Sequence, residues 1–119
     1  MNDVKLKMLE EYYGEVLNIL KKEFIAKAEK VDEFMGLTVN IEDSYQSDLE
    51  FIIMIKVQNK EEIAVLWQEF RHLFNTTIKL LRKKFPEAID KINQLDDICV
   101  IHLEWVVNYE EGVNKNDTI

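Results

Sequence analysis

Residues that break regular secondary structure are nearly absent from this chain, which has 3 Gly and 1 Pro among 119 residues. Tight turns depend on these two residue types, so a fold of many short strands and turns is disfavoured. Apolar residues make up 47% of the chain, too many for an intrinsically disordered protein. The composition predicts one domain of long helices and strands over residues 1–109, followed by a frayed tail over 110–119.

An apolar stripe with the period of an amphipathic helix runs from Asp3 to about Met35. Asp3 is placed to cap the start of this predicted helix, and Gly36 to end it in the left-handed conformation. A second, narrower stripe lies beside the first and comprises Met8, Tyr12 and Ile19. A helix that faces one layer needs one stripe, so we expect this helix to contact two neighbours.

Three segments alternate apolar and polar residues, the period of a half-buried strand. The first two cover residues 37–42 and 49–57 and are joined by a polar turn over 43–48. The second strand is also apolar in the middle of its other face, at Ile52 and Met54, which is typical of a central strand. The third covers 98–107, and its apolar face comprises Cys99, Ile101, Leu103, Trp105 and Val107.

A second long helix is predicted between the second and third strands. Asn59 and Glu62 have the spacing of a capping box, and the apolar stripe continues through Pro86 to Leu95. Proline breaks the helical ladder, so Pro86 should begin a second piece after a kink, or after a break between two helices nearly in line. The predicted fold is α+β: a small, mainly antiparallel three-stranded sheet covered on one face by two long helices, in the order α-β-β-α-β.

The formal net charge of −8 makes nucleic acid and membrane surfaces unlikely partners, since both are anionic. The first residues lack the apolar core of a signal peptide, so we expect a cytoplasmic protein. The single cysteine, Cys99, is expected to be reduced and buried. Histidines are too few for the helical Glu-x-x-His pattern at Glu69 and His72 to complete a metal site. We therefore expect no catalytic residues, no metal and no cofactor.

Two surfaces are expected to bind other proteins. Clustered carboxylates beside a tyrosine suit rapid binding of a basic protein, and this predicted surface comprises Glu42, Asp43, Tyr45, Asp48 and Glu50. Apolar residues in excess of what one layer can bury predict a symmetric homodimer, through Met8, Tyr12, Ile19, Ile52, Met54, Val100 and Val106.

The leading hypothesis is a non-catalytic protein that binds and neutralises a basic partner, as an immunity protein, antitoxin or inhibitor does. Two alternatives stay open. One is an oligomeric structural or adaptor subunit of phage or mobile-element origin, and the other is a small ligand-binding domain.

Overall fold

The computed structural model describes residues 2–43 and 47–108, and within these the side chains of 4–41 and 49–108. The elements in chain order are α1 (Asn2–Tyr13), α2 (Glu15–Ala28), β1 (Phe34–Asp43), β2 (Ser47–Val57), α3 (Glu61–Lys84), a 3-10 turn (Pro86–Ala88), α4 (Ile89–Ile98) and β3 (Cys99–Val107). The α+β class, the three-stranded sheet and the cover of helices are confirmed, and residues 2–43 and 47–108 contain four α-helices in place of two long ones.

The sheet has the order β1-β2-β3, so β2 is the central strand as predicted. β1 pairs with β2 antiparallel, from Asp43 opposite Ser47 to Phe34 opposite Ile55. β3 pairs with β2 parallel, from Cys99 beside Leu49 to Val107 beside Val57. The sheet is therefore mixed, because the crossover through α3 and α4 returns the chain in the same direction.

The core lies between one face of the sheet and the helices. Rings of Phe24 on α2, Phe51 on β2 and Phe74 on α3 meet with centroids 5.4 to 5.7 Å apart. All three side chains are fully buried, as are the alternate residues of β2 that share this face. Edge-to-face contacts of this kind add to the burial of apolar area. These three rings therefore join both helices to the central strand.

The prediction of one helix from Asp3 to Met35 is wrong at two places. The helix is broken at Gly14, which has φ 56° and ψ −127°, and the second piece ends at Ala28. Met35 belongs to β1, where the register shifts between Phe34 and Gly36 and Met35 is the extra residue of a β-bulge. Gly36 is consequently part of a strand, and the one described glycine with positive φ is Gly14.

Pro86 breaks the second long helix, as predicted, and is the first residue of the 3-10 turn. Phe85 before it adopts φ −129° and ψ 65°, outside the helical region that a following proline disfavours. The two pieces are not nearly in line: Arg82 donates to Asn93 at 3.0 Å and to Asp96 at 3.4 Å. In a straight helix, the 14 residues from Arg82 to Asp96 would span about 21 Å. α4 therefore folds back beside α3.

Candidate interaction surfaces

A concave surface rich in carboxylates lies between the loop before β1 and the first half of α3. We call it the acidic cleft; it measures about 370 Å³ and is lined by Glu33, Glu61, Glu62, Val65, Leu66 and Glu69. No lysine or arginine is among its lining residues, and Val65 is 68% exposed. The cleft thus combines four carboxylates with an exposed apolar side chain.

Backbone hydrogen bonds hold the two walls of the acidic cleft in place. The carboxylate of Glu62 accepts the N–H of Gln58 at 2.7 Å and of Asn59 at 2.9 Å. Its contact with Asn59 is the half of the predicted capping box in which the glutamate reaches back to the chain before the helix. On the opposite wall, the Lys56 N–H donates to the Glu33 carbonyl at 2.9 Å. The spacing of the carboxylates is therefore set by the start of α3 and by the junction with β2.

A smaller hollow of about 230 Å³ adjoins the acidic cleft and shares Glu33 and Glu62 with it. The side-chain oxygen of Asn108 in its lining is buried and has no hydrogen-bond donor among the described residues. A buried acceptor without a donor costs about 1 to 3 kcal/mol. On the other side a hollow of about 460 Å³ adds Lys27 and Lys30, so the most acidic part of this surface is the cleft itself.

The predicted partner-binding surface at the β1–β2 connection lies mostly outside the described side chains. Glu42, Asp43 and Asp48 belong to the paired strands by their backbone, Tyr45 falls outside the described residues, and only the Glu50 side chain is described. Glu50 is half-buried on the sheet face away from the helices. This surface stays a prediction.

The start of β3 lies at the same end of the sheet as the β1–β2 connection, since Cys99 pairs with Leu49. The acidic residues just before it, Asp96 and Asp97, are therefore near that end. Asp96 is paired with Arg82, at 3.4 Å, whereas Asp97 is exposed. Part of the negative charge beside the start of β3 is thus paired with a cation of α3.

The residues predicted to mediate self-association fall into two separate groups. Ile52, Met54, Val100 and Val106 share the sheet face away from the helices, where every described side chain is exposed or half-buried. The stripe on the first helix is split by Gly14: Met8 and Tyr12 lie exposed on α1, whereas Ile19 lies on α2 and packs against the core.

Tyr12 makes the second contact that the two apolar stripes of the predicted first helix imply. Its hydroxyl donates to Gln94 at 3.3 Å, and the Lys91 ammonium lies 4.7 Å from its ring centroid. Lys91 also donates to the Tyr12 carbonyl at 3.0 Å. The second neighbour of this helix is thus α4 of the same chain.

Cys99 is buried at the start of β3, as predicted, and Tyr13 is buried nearby. Burial raises the pKa of the Tyr13 phenol above its usual 10.0, with smaller contributions from Tyr12 and Cys99. Within residues 2–43 and 47–108, no group of three or more His, Cys, Asp or Glu side chains is arranged to hold a metal ion. In the same ranges, no helix has the length and apolar character needed to cross a membrane.

No sequence pattern predicts the acidic cleft. Glu33 falls within the predicted first helix, Glu62 within the predicted capping box, and Glu69 within the Glu-x-x-His pattern of the predicted second helix. These segments meet because β1 starts beside the end of β2, which no local pattern reveals. The local signal was the pair of glutamates at the start of α3, which alone is explained by the helix dipole.

Comparisons with protein-family models, with curated proteins and with solved structures give no match.

Proposed function

We propose that the protein binds a basic partner protein and neutralises it, as an immunity protein, antitoxin or inhibitor does, and that the acidic cleft is the main contact. The supporting observation is that Glu33, Glu61, Glu62 and Glu69 line one concavity together with the exposed side chain of Val65. A carboxylate field accelerates encounter with a basic protein, and a central apolar contact slows dissociation. The net charge of −8 acts in the same direction.

The neighbouring hollow supports the same class of partner. The Asn108 oxygen is an acceptor without a described donor, and the lining with it holds three carboxylates, of Asp32, Glu33 and Glu62, against one cation, Lys56. Lysine and arginine side chains carry only donors. A basic side chain entering this hollow would satisfy the amide oxygen and the carboxylates together.

Binding of a labelled oligolysine peptide, followed by fluorescence anisotropy, tests whether the acidic cleft is the basic-ligand site. Replacing Glu33, Glu61 and Glu69 by Gln should weaken binding about tenfold or more, and the affinity of the native protein should fall as salt rises. Glu62 is left intact because it accepts two backbone N–H groups.

Two further variants make this experiment selective. A matched control replaces exposed Glu11, Glu15 and Glu87 by Gln, which removes the same charge elsewhere. A second variant carries Asp43→Asn, Tyr45→Ala and Asp48→Asn at the predicted hairpin surface. If the control weakens binding as much as the cleft variant, the cleft is not a site; if only the hairpin variant does, the hairpin is the contact.

Neutralisation itself needs the natural partner. A basic protein that co-purifies with the native chain, is lost from the cleft variant and is retained by the matched control would support the proposal. Its activity should fall when the native chain is added in equal amount. A co-purifying protein that is acidic, or whose activity is unaffected, would contradict it.

A further inference from the structure

Among the described residues, no strand pairs with the outer side of β3, which is one edge of the sheet. The Asn108 N–H donates to the Val57 carbonyl at 2.7 Å, so the even-numbered positions of this strand direct their backbone toward β2. Backbone groups alternate sides along a strand, so Ile101, Leu103 and Trp105 direct theirs outward. The Trp67 indole donates to the Ile101 carbonyl at 3.3 Å, which agrees with that orientation.

The composition of β3 does not discourage pairing. Natural edge strands are commonly protected by Pro, Lys or a bulge, and this nine-residue strand contains none of the three. Its side chains also leave apolar area open to solvent: Val100 is 40% exposed, Trp105 46% and Val106 41%. Long edges of this kind present a row of backbone donors and acceptors to which another strand can pair.

We infer that β3 pairs antiparallel with β3 of a second copy, about a twofold axis at Leu103, which joins two three-stranded sheets into one. In this register the outward-facing residues form the hydrogen-bonded pairs, Leu103 with Leu103 and Ile101 with Trp105. The intervening positions form the closely spaced pairs on the open face, His102 with Glu104 and Val100 with Val106. Every pair thus joins residues of compatible chemistry.

The polar side chains of β3 favour a second copy of the chain as its partner and determine the register of the pairing. Apart from the buried thiol of Cys99, His102 and Glu104 are the ionisable side chains of β3, and both are exposed. Because they are placed symmetrically about Leu103, a second copy sets each imidazole opposite a carboxylate, twice per dimer. Moving the axis by one residue in one direction leaves each Glu104 opposite Val100, without an imidazole, and in the other direction sets Glu104 opposite Glu104. Like charges directly opposite each other destabilise a sheet.

Trp67 is compatible with this pairing. It lies on α3 and approaches the Ile101 carbonyl from the helix side of the sheet. A carbonyl oxygen has two lone pairs, so it can accept the indole N–H and an in-plane N–H from Trp105 of the second copy. The dimer uses no lining residue of the acidic cleft, so this inference does not depend on the proposed function.

Sedimentation equilibrium of charge-swap variants tests the pairing. The native chain should sediment with twice the chain mass of 14.2 kDa at micromolar concentration. His102→Glu should weaken dimerisation about tenfold, because two carboxylates then face each other twice in the dimer, and Glu104→His should weaken it because both imidazole–carboxylate pairs are lost. The double variant His102→Glu with Glu104→His should recover the native affinity. Circular dichroism of each variant confirms that the fold is retained.

Two outcomes would overturn the inference: a native chain that stays at 14.2 kDa at high micromolar concentration, or a double variant no better than the singles. Cysteine cross-linking then fixes the register in a Cys99→Ala background. Val100→Cys with Val106→Cys should oxidise to a covalent dimer, since closely spaced antiparallel pairs suit a disulfide. Val100→Cys with Glu104→Cys should not; the opposite result, or no cross-link in either, would contradict this register.

Discussion

β1 and β3 both lie at an edge of the sheet, but only β1 carries devices that end strand pairing. β1 has a bulge at Met35 and a glycine next to it, and α1 packs against it. β3 has a continuous register with β2 and is crossed on one side by Trp67. A bulge bends a strand and removes the flat row of donors and acceptors that a further strand needs. The two edges therefore differ in how well they are protected against further pairing, and the pairing proposed above uses the less protected one.

The difference follows from how each strand is attached. β1 and β2 are consecutive and antiparallel, so their register is determined by local pairing. β3 returns after the long crossover of α3 and α4, and it depends on the core beneath β2 for its position. A substitution in the core should therefore destabilise β1 and β3 together. A substitution in α1 or at Trp67 should destabilise only the strand that it contacts.

Phe51→Ala should have the largest effect on stability and should destabilise β1 and β3 alike. Phe51 is fully buried on the central strand and contacts the rings of Phe24 and Phe74. Loss of a buried phenylalanine costs about 3 to 5 kcal/mol, so urea unfolding should move to a much lower midpoint. The control Ile52→Ala, half-buried on the opposite face of the same strand, should cost about 1 kcal/mol or less. Equal losses would mean that the open face is buried in solution.

Gly14→Ala should destabilise α1 and β1 and leave β3 unaffected. Gly14 has φ 56°, and its nearest neighbour would be 3.9 Å from an added Cβ, so the cost is conformational and not a clash. With ψ −127° as well, this conformation lies outside the left-handed helical region and costs a residue with a side chain about 1 to 3 kcal/mol. Amide exchange should become faster in α1 and β1 and stay unchanged in β3. A matched change at Gly36, which has no neighbour within 4 Å of an added Cβ, should have a smaller effect.

These glycines also show what sequence patterns can establish here. The period of the apolar residues identified three strands and the face of β2 that is buried, because alternation of burial is a local property. The helical period of the apolar residues continues through Gly14 and past Ala28, because periodicity does not reveal where the chain changes direction. Met35 fits a helical stripe and a strand bulge equally well. Only the pairing of Phe34 with Ile55 distinguishes them, and it depends on residues far along the chain.

The candidate surfaces were less predictable than the fold. The even residues of β2 and β3 were correctly placed on one face, because strand alternation requires it. The acidic cleft could not be predicted, since Glu33 and Glu69 are far apart in sequence and meet only in the folded chain. Trp105 was expected on the buried face of β3, yet it is 46% exposed. At its position near the end of an edge strand, alternation fixes the side to which the ring points but not whether another element covers it.

Trp67→Phe should have a smaller effect, confined to the β3 side. The substitution removes the hydrogen bond from the indole to the Ile101 carbonyl and keeps most of the ring. A bond of this kind contributes about 1 kcal/mol, so stability should fall by that amount or less. Amide exchange should become faster in β3 and stay unchanged in β1. If β1 responds instead, Trp67 does not belong to the β3 edge in solution.

The smallest expected effect is a loss of stability at alkaline pH. It comes from Tyr13 at the end of α1, which interacts with Cys99 at the start of β3. Burial raises the pKa of Tyr13, with smaller contributions from Tyr12 and Cys99, so the folded chain favours the neutral phenol more than the unfolded chain does. The resulting stabilisation is fully present below pH 10.0, the ordinary pKa, and is lost as pH rises through the higher folded value.

Urea midpoints from pH 8 to 11 should therefore fall more steeply for the native chain than for Tyr13→Phe. The difference in phenolate absorbance between these two proteins should have its midpoint above pH 10.0. A midpoint at or below that value, or parallel urea curves, would show that Tyr13 is in contact with water in the folded chain and that α1 does not seal the start of β3.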